Sequence, residues 1–147
     1  MNPDFSDILS ALSAEGADFL LVGAYAMAVH GVPRATGDID LWVEPTPENA
    51  ERVLRALANF GAPIRDVSAS DLERPGMVLQ IGVAPNRIDL LTEIDGVSFR
   101  DAWSRRVSTD LNGLRVPVIG RDDLIRNKRA TGRARDQVDA DQIENPE

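Results

Sequence analysis

The chain has no cysteine, which excludes a disulfide frame, thiolate chemistry and any cysteine-based zinc site. It has a single histidine, His30, and a single lysine, Lys128. Aromatic residues make up only 5% of it, so there is little material for a base-stacking surface. No apolar run is long enough to cross a bilayer. The opening stretch MNPDFSDILSALSAEG carries acids where a secretory signal would carry bases. A cytoplasmic protein without membrane partners is the expectation. No repeat, low-complexity tract or long linker interrupts the chain.

What is present suits one compact unit over 1–147. The 147 residues are 43% hydrophobic and 27% charged, enough to bury a core without staples. The net charge of −8 argues against a nucleic-acid-binding surface. The charge is uneven, however. Residues 121–135 hold six basic groups against two acids, a local +4 that leaves −12 for the rest. The last stretch, DQVDADQIENPE, has five acids and no base, and 136–147 reads as an acidic, partly frayed tail.

Local signals predict an alternation of helices and strands. Asn2-Pro3 opens a helix whose apolar stripe is Phe5, Ile8, Leu9 and Leu12. ADFLLVG reads as a buried strand, AYAMAVH as a short helix broken by Gly31-Val32-Pro33, and DIDLWV as a strand. Thr46-Pro47 caps a helix with Ala50, Val53, Leu54 and Leu57 inward and Gly61 at its end. GMVLQIGV and RIDLLTEI read as strands joined at Ala84-Pro85-Asn86. Ser98 caps a short helix through Trp103. Asn112-Gly113 lies between two β-type runs, a strong hairpin signal. Two short helices around Thr131-Gly132 finish the chain. The fold class is α+β, a small mixed or antiparallel sheet packed with helices, with a C-terminal hairpin and short helices.

The chemistry concentrates in VGAYAMAVHGVPRATGDIDLWV. In a strand, residues two apart face the same way, so Asp38 and Asp40 share a face opposite Ile39, Leu41 and Val43. Two adjacent carboxylates repel unless a cation lies between them, and Mg²⁺ takes hard oxygen ligands of this kind. Ile88-Asp89-Leu90 repeats the pattern on another predicted strand. If the two strands are neighbours, three carboxylates converge, the minimum for a two-metal phosphoryl or nucleotidyl transfer site. Gly23, at a strand-to-helix junction, would let backbone approach a phosphate. Taken singly, each feature has a plain structural reading. A D-x-D is most often a solvated face, His30 a helix-end partner, Arg34 a solvated side chain, and Trp42 and Trp103 packing residues.

In this order and combination, the residues resemble the nucleotidyltransferase superfamily. The similarity is to a branch of small bacterial proteins like the AbiEii-type nucleotidyltransferase toxins, and it covers roughly residues 17 to 141. The elements that carry it are Gly23, the HG..R.T.DIDL run, RIDLL, and DDLIRNKRATGRARDQVDAD. The resemblance implies that Asp38, Asp40 and Asp89 are catalytic and hold two Mg²⁺ ions, or Mn²⁺, with Asp89 also helping to deprotonate an acceptor hydroxyl. It implies that Gly23 and Ala24 seat a nucleoside triphosphate, with Arg34, Thr36 and Lys128 as nucleotide or phosphate contacts. His30, Arg133, Asp136 and Asp139 match the branch without an assigned role, and the last three would tie the C-terminal helices to the core. Position 24 is alanine where the superfamily prefers glycine or serine, so no hydroxyl is available there for a phosphate. The activity implied is transfer of a nucleoside monophosphate from an NTP to a hydroxyl of an RNA end, a protein or a small molecule, in a toxin–antitoxin or phage-defence setting with a cognate partner protein. Two alternatives stand beside it: a non-catalytic, antitoxin-like partner that keeps the fold, and a metal-dependent phosphohydrolase.

Overall fold

The computed structural model describes residues 1–34, 37–83 and 86–145. Helix α1 (Pro3–Ala14) begins where the Asn2 side chain accepts from the Asp4 backbone N–H at 2.7 Å. It buries Phe5, Ile8, Leu9 and Leu12, the stripe expected from its periodicity. Strand β1 (Phe19–Val22) is buried along its whole length and runs without a break into α2 (Gly23–Val29). Strand β2 (Ile39–Val43) follows.

Helix α3 (Pro47–Phe60) is capped by Thr46 and closed by Gly61 in the left-handed region. Its buried face is Ala50, Val53, Ala56 and Leu57, with Leu54 at the margin rather than inside. Asn49 is also buried there. Its side chain accepts from the Asp18 N–H and donates to the Asp18 and Glu44 carbonyls, which satisfies all but one of its bonding sites. One short helix was not expected from the sequence. This is α4 (Ala69–Leu72), held by a reciprocal capping box between Ser68 and Asp71.

Strands β3 (Val78–Ile81) and β4 (Ile88–Leu91) pair antiparallel, and the expected turn residues Ala84 and Pro85 lie outside the described residues. Helix α5 (Phe99–Ser104) is capped by Ser98. Strands β5 (Val107–Leu111) and β6 (Leu114–Val118) form the expected hairpin, with positive φ at both Asn112 and Gly113 as a type I′ turn requires. Helices α6 (Arg121–Ala130) and α7 (Ala134–Glu144) end the described chain.

The six strands form one mixed sheet in the order β3-β4-β2-β1-β6-β5. β2 is antiparallel to β1 and parallel to β4. Helix α2 packs on β1 and β2, α1 packs against α3, and α6 packs against α7. Residues from Phe5 to Ile143 share one hydrophobic cluster. Trp42 and Trp103 are packing residues. The Phe99 ring meets Trp42 edge-on at 5.1 Å and stacks on Trp103 at 5.6 Å. No described helix is long and apolar enough to cross a membrane.

The acidic C-terminal run differs from its composition-based expectation. Helix α7 continues to Glu144, and Asp136, Asp139, Ala140 and Ile143 are buried. Acids at 136 and 139 fall on one helix face, three residues apart, and that face meets cations rather than water.

A second buried carboxylate anchors α6. Asp123, 1% exposed, receives both Nε and a terminal nitrogen of Arg105 at 3.0 and 2.9 Å, and Arg126 at 2.7 Å. Both arginines are half exposed and can return to water. Replacing Asp123 by alanine should therefore cost the net worth of the bonds, about 2 kcal/mol. Urea denaturation measures this, and an unchanged midpoint would show that α6 is held by packing alone.

Candidate active site

The register of β2 against β4 places Asp40 directly opposite Asp89. The condition that the two D-containing strands be neighbours is thus met, and Asp89 lies close enough to Asp40 to push its carboxyl up. Asp38 lies two residues before Asp40, at the entry to β2, and accepts the Arg87 backbone N–H at 3.0 Å. Gly23 closes the far side. Its φ is +67°, and a Cβ there would lie 2.2 Å from Asp40 Oδ2 and 3.0 Å from Asp40 Cγ. Glycine is needed at this junction because the Asp40 carboxylate occupies the space a side chain would take.

Burial, and then repulsion from Asp89 and Asp38, push the Asp40 carboxyl up to about 6, with Lys128 opposing the shift. Below about pH 6 such a carboxyl keeps its proton, and a cation nearby would favour the ionised form.

The carboxylates form one wall of a cleft of about 540 Å³. Gly23 and Ala24 line its floor, and Arg34, Arg87, Lys128, Arg133 and Arg135 bring five cations to it. Most of these are already engaged. Arg87 grips Asp89 through Nε at 2.7 Å and a terminal nitrogen at 3.1 Å, and reaches Asp38 at 3.7 Å. Lys128 bridges Asp136 at 3.4 Å and Asp139 at 3.3 Å. Arg34 pairs with Asp139, and Arg133 Nε donates to Asp136 at 2.8 Å. Burial pushes the Asp136 carboxyl up, but bonds from Thr131 and Arg133 and the charge of Lys128 outweigh it and hold the group low. Arg135 has no ion pair among the described residues and is exposed.

Asp38, Asp40, Asp89, Gly23, Ala24, Arg34, Lys128, Arg133, Asp136 and Asp139 all line this cleft. Asp136 and Asp139 tie α7 to Lys128 on α6, and Asp139 ties it to the loop after α2. His30 does not line the cleft. Its Nε2 donates to the Ile119 carbonyl at 2.7 Å, which fixes the tautomer and staples the end of α2 to the end of β6. Thr36 lies outside the described residues. Arg87 and Arg135 were not singled out from sequence. The spacing Arg87-x-Asp89 carried the signal for the first, since it puts both side chains on one strand face.

Asp38, Asp40 and Asp89 carry hard oxygen donors of the kind a divalent cation takes; Asp40 and Asp89 lie on neighbouring strands and Asp38 just before β2. Among the described residues, no group of three or more histidine, cysteine, aspartate or glutamate side chains stands ready to hold an ion.

Two solved structures share the fold. One is TM1012 of Thermotoga maritima, assigned to the nucleotidyltransferases, with a TM-score of 0.64 at 16% identity over 97% of this chain and 91% of that one. The other is the lincosamide antibiotic adenylyltransferase LnuA with lincomycin bound, with a TM-score of 0.62 at 12% identity over 99% of this chain and 97% of that one. No curated protein matches the chain. Residues 7–144 match the family described as the nucleotidyl transferase AbiEii toxin of type IV toxin–antitoxin systems, and the chain belongs to that family.

The raised Asp40 carboxyl makes a signed prediction. Between about pH 4 and pH 6 the folded state keeps a proton that the unfolded chain has lost, so this group's contribution to stability falls as pH rises. In EDTA, Asp40→Asn should equal wild type near pH 4 and exceed it at pH 8 by up to about 3 kcal/mol. Urea denaturation at the two pH values tests this, and an equal difference at both would contradict it. Gly23→Ala should destabilise by about 1–3 kcal/mol, because the new Cβ meets Asp40 and the backbone is left-handed. A thermal melt unchanged from wild type would show that Asp40 can move aside at no cost.

Proposed function

We propose that the chain is a metal-dependent nucleotidyltransferase in which Asp38, Asp40 and Asp89 hold Mg²⁺, or Mn²⁺, and the cationic side of the cleft takes a nucleoside triphosphate. The observation that carries this reading is the in-register pairing of Asp40 with Asp89 beside five cationic side chains. Divalent ions bound there would offset charge on the triphosphate and polarise the α-phosphate.

The chain's own residues have the following roles. Asp38 and Asp40 fix the reactive end of the nucleotide against a rigid strand. Gly23 and Ala24 offer backbone at the cleft floor with no side chain in the way. Arg34, Lys128, Arg133 and Arg135 face the phosphates, Lys128 as a compact point charge and the arginines as planar forks. An acceptor hydroxyl attacks the α-phosphorus, a new O–P bond forms, the bond to pyrophosphate breaks, and Asp89 accepts the hydroxyl proton. The acceptor is a hydroxyl of an RNA end, a protein or a small molecule. Membership of a toxin–antitoxin family supports a cognate antitoxin as the chain's counterpart.

Incubation with each α-³²P-labelled ribonucleotide and Mg²⁺ tests the reading, with a cell extract as the source of acceptor. Label should pass to a macromolecule or a metabolite, with pyrophosphate released. Asp89→Asn should lower the rate by about 100-fold or more while leaving the far-UV circular dichroism unchanged. Release of inorganic phosphate in place of pyrophosphate would point to hydrolysis, and full activity in Asp89→Asn would remove the carboxylate cluster from the reaction.

A further inference from the structure

Arg87 occupies an unusual place in the cleft. It precedes Asp89 by two residues on the same strand face, grips that carboxylate with two nitrogens, and extends to Asp38. Its own backbone N–H is bound to Asp38 as well. One guanidinium thus spans two of the three carboxylates proposed to bind metal. The cluster offers hard oxygen donors, and a protein cation is already paired with two of its three carboxylates.

The rest of the cleft has the same character. Arg34, Lys128 and Arg133 pair with Asp136 and Asp139, so its charges are largely satisfied within the protein. Of these, Lys128 also lies close enough to Asp40 to oppose the rise of its carboxyl. Among the described residues, Arg87 pairs with both Asp38 and Asp89. Its side chain is 29% exposed, open enough to swing, and it lines the cleft together with Gly23, Ala24 and Lys128.

We propose that Arg87 is a built-in counterion of the carboxylate cluster, which an entering divalent ion displaces and which then turns to the triphosphate that arrives with that ion. The proposal rests on the nucleotidyltransferase reading of the cleft. Metal binding is accordingly an exchange of one cation for another. A metal ion alone meets a competitor, whereas a metal ion with nucleotide gives the displaced guanidinium a new anionic partner. The two ligands then favour each other's binding through one side chain.

The test uses the full chain at pH 8. Mn²⁺ alone is titrated first, followed by Mn²⁺ with the α,β-methylene analogue of each ribonucleoside triphosphate, into wild type, Arg87→Ala and Arg87→Gln. Removing the guanidinium should tighten binding of Mn²⁺ alone by about tenfold or more, since a cation at this range shifts a carboxylate's affinity for a proton by a comparable factor. The same variants should bind the metal–nucleotide analogue several-fold more weakly. A merely structural arginine would not give opposite signs, because damage to the site weakens both ligands. Arg87→Gln keeps a donor for Asp89 without the charge, and it serves if Arg87→Ala does not fold. Unchanged or weaker Mn²⁺ binding in the variants would overturn the counterion role, and unchanged nucleotide binding would overturn the hand-over. Wild type that binds neither Mn²⁺ nor the metal–nucleotide analogue would overturn this proposal together with the functional reading on which it rests.

Discussion

Two carboxylates, Asp40 and Asp89, are forced side by side by the pairing of parallel strands β2 and β4. Every other feature of the cleft answers that constraint. Gly23 has no side chain because the Asp40 carboxylate fills the space. Arg87 lies across Asp89 and reaches Asp38. Lys128 lies close enough to lower the Asp40 carboxyl, and it is held there by Asp136 and Asp139 from the last helix. Crowded like charges on a rigid sheet are unfavourable in the empty protein, and they are the condition under which a divalent cation binds with advantage.

The wider cleft extends the same logic. It lines up five acids with five bases, most of them already paired. Such a site is not a simple positive funnel for phosphate, which fits a chain whose net charge is −8. On the proposed reading, a triphosphate would enter by exchanging partners with charges already present. The last helix takes part in this arrangement. Asp139 holds Arg34 in the loop after α2, so the far C-terminal residues fix side chains that emerge early in the chain.

Much of this was legible in the sequence, for identifiable reasons. Strand periodicity of two is local, and it placed Asp38 and Asp40 on one face. The Asn112-Gly113 turn and the Ser98 and Thr46 caps are also local, and all appear in the structure. Neighbouring of β2 and β4 was a conditional expectation, because strand pairing depends on long-range topology that no short window contains. Arg87 escaped notice for a related reason. Its spacing to Asp89 was visible, but its reach to Asp38 depends on the β2–β4 pairing. Composition alone reads the acids of the C-terminal run as solvated, whereas Asp136 and Asp139 are buried against Lys128 and Arg34 from elsewhere in the chain. Helix α4 is four residues long, too short for any periodicity to reveal.

The central claim is that Asp38, Asp40 and Asp89 form one cation seat. Anomalous diffraction from crystals grown with Mn²⁺ and a non-hydrolysable nucleoside triphosphate tests it most directly. The account predicts Mn²⁺ peaks at ligand distance, about 2.0–2.4 Å, from oxygens of all three aspartates, with the Arg87 side chain turned from Asp89 toward phosphate. Peaks elsewhere in the molecule, or bound nucleotide with Arg87 still clamped on Asp89, would contradict it.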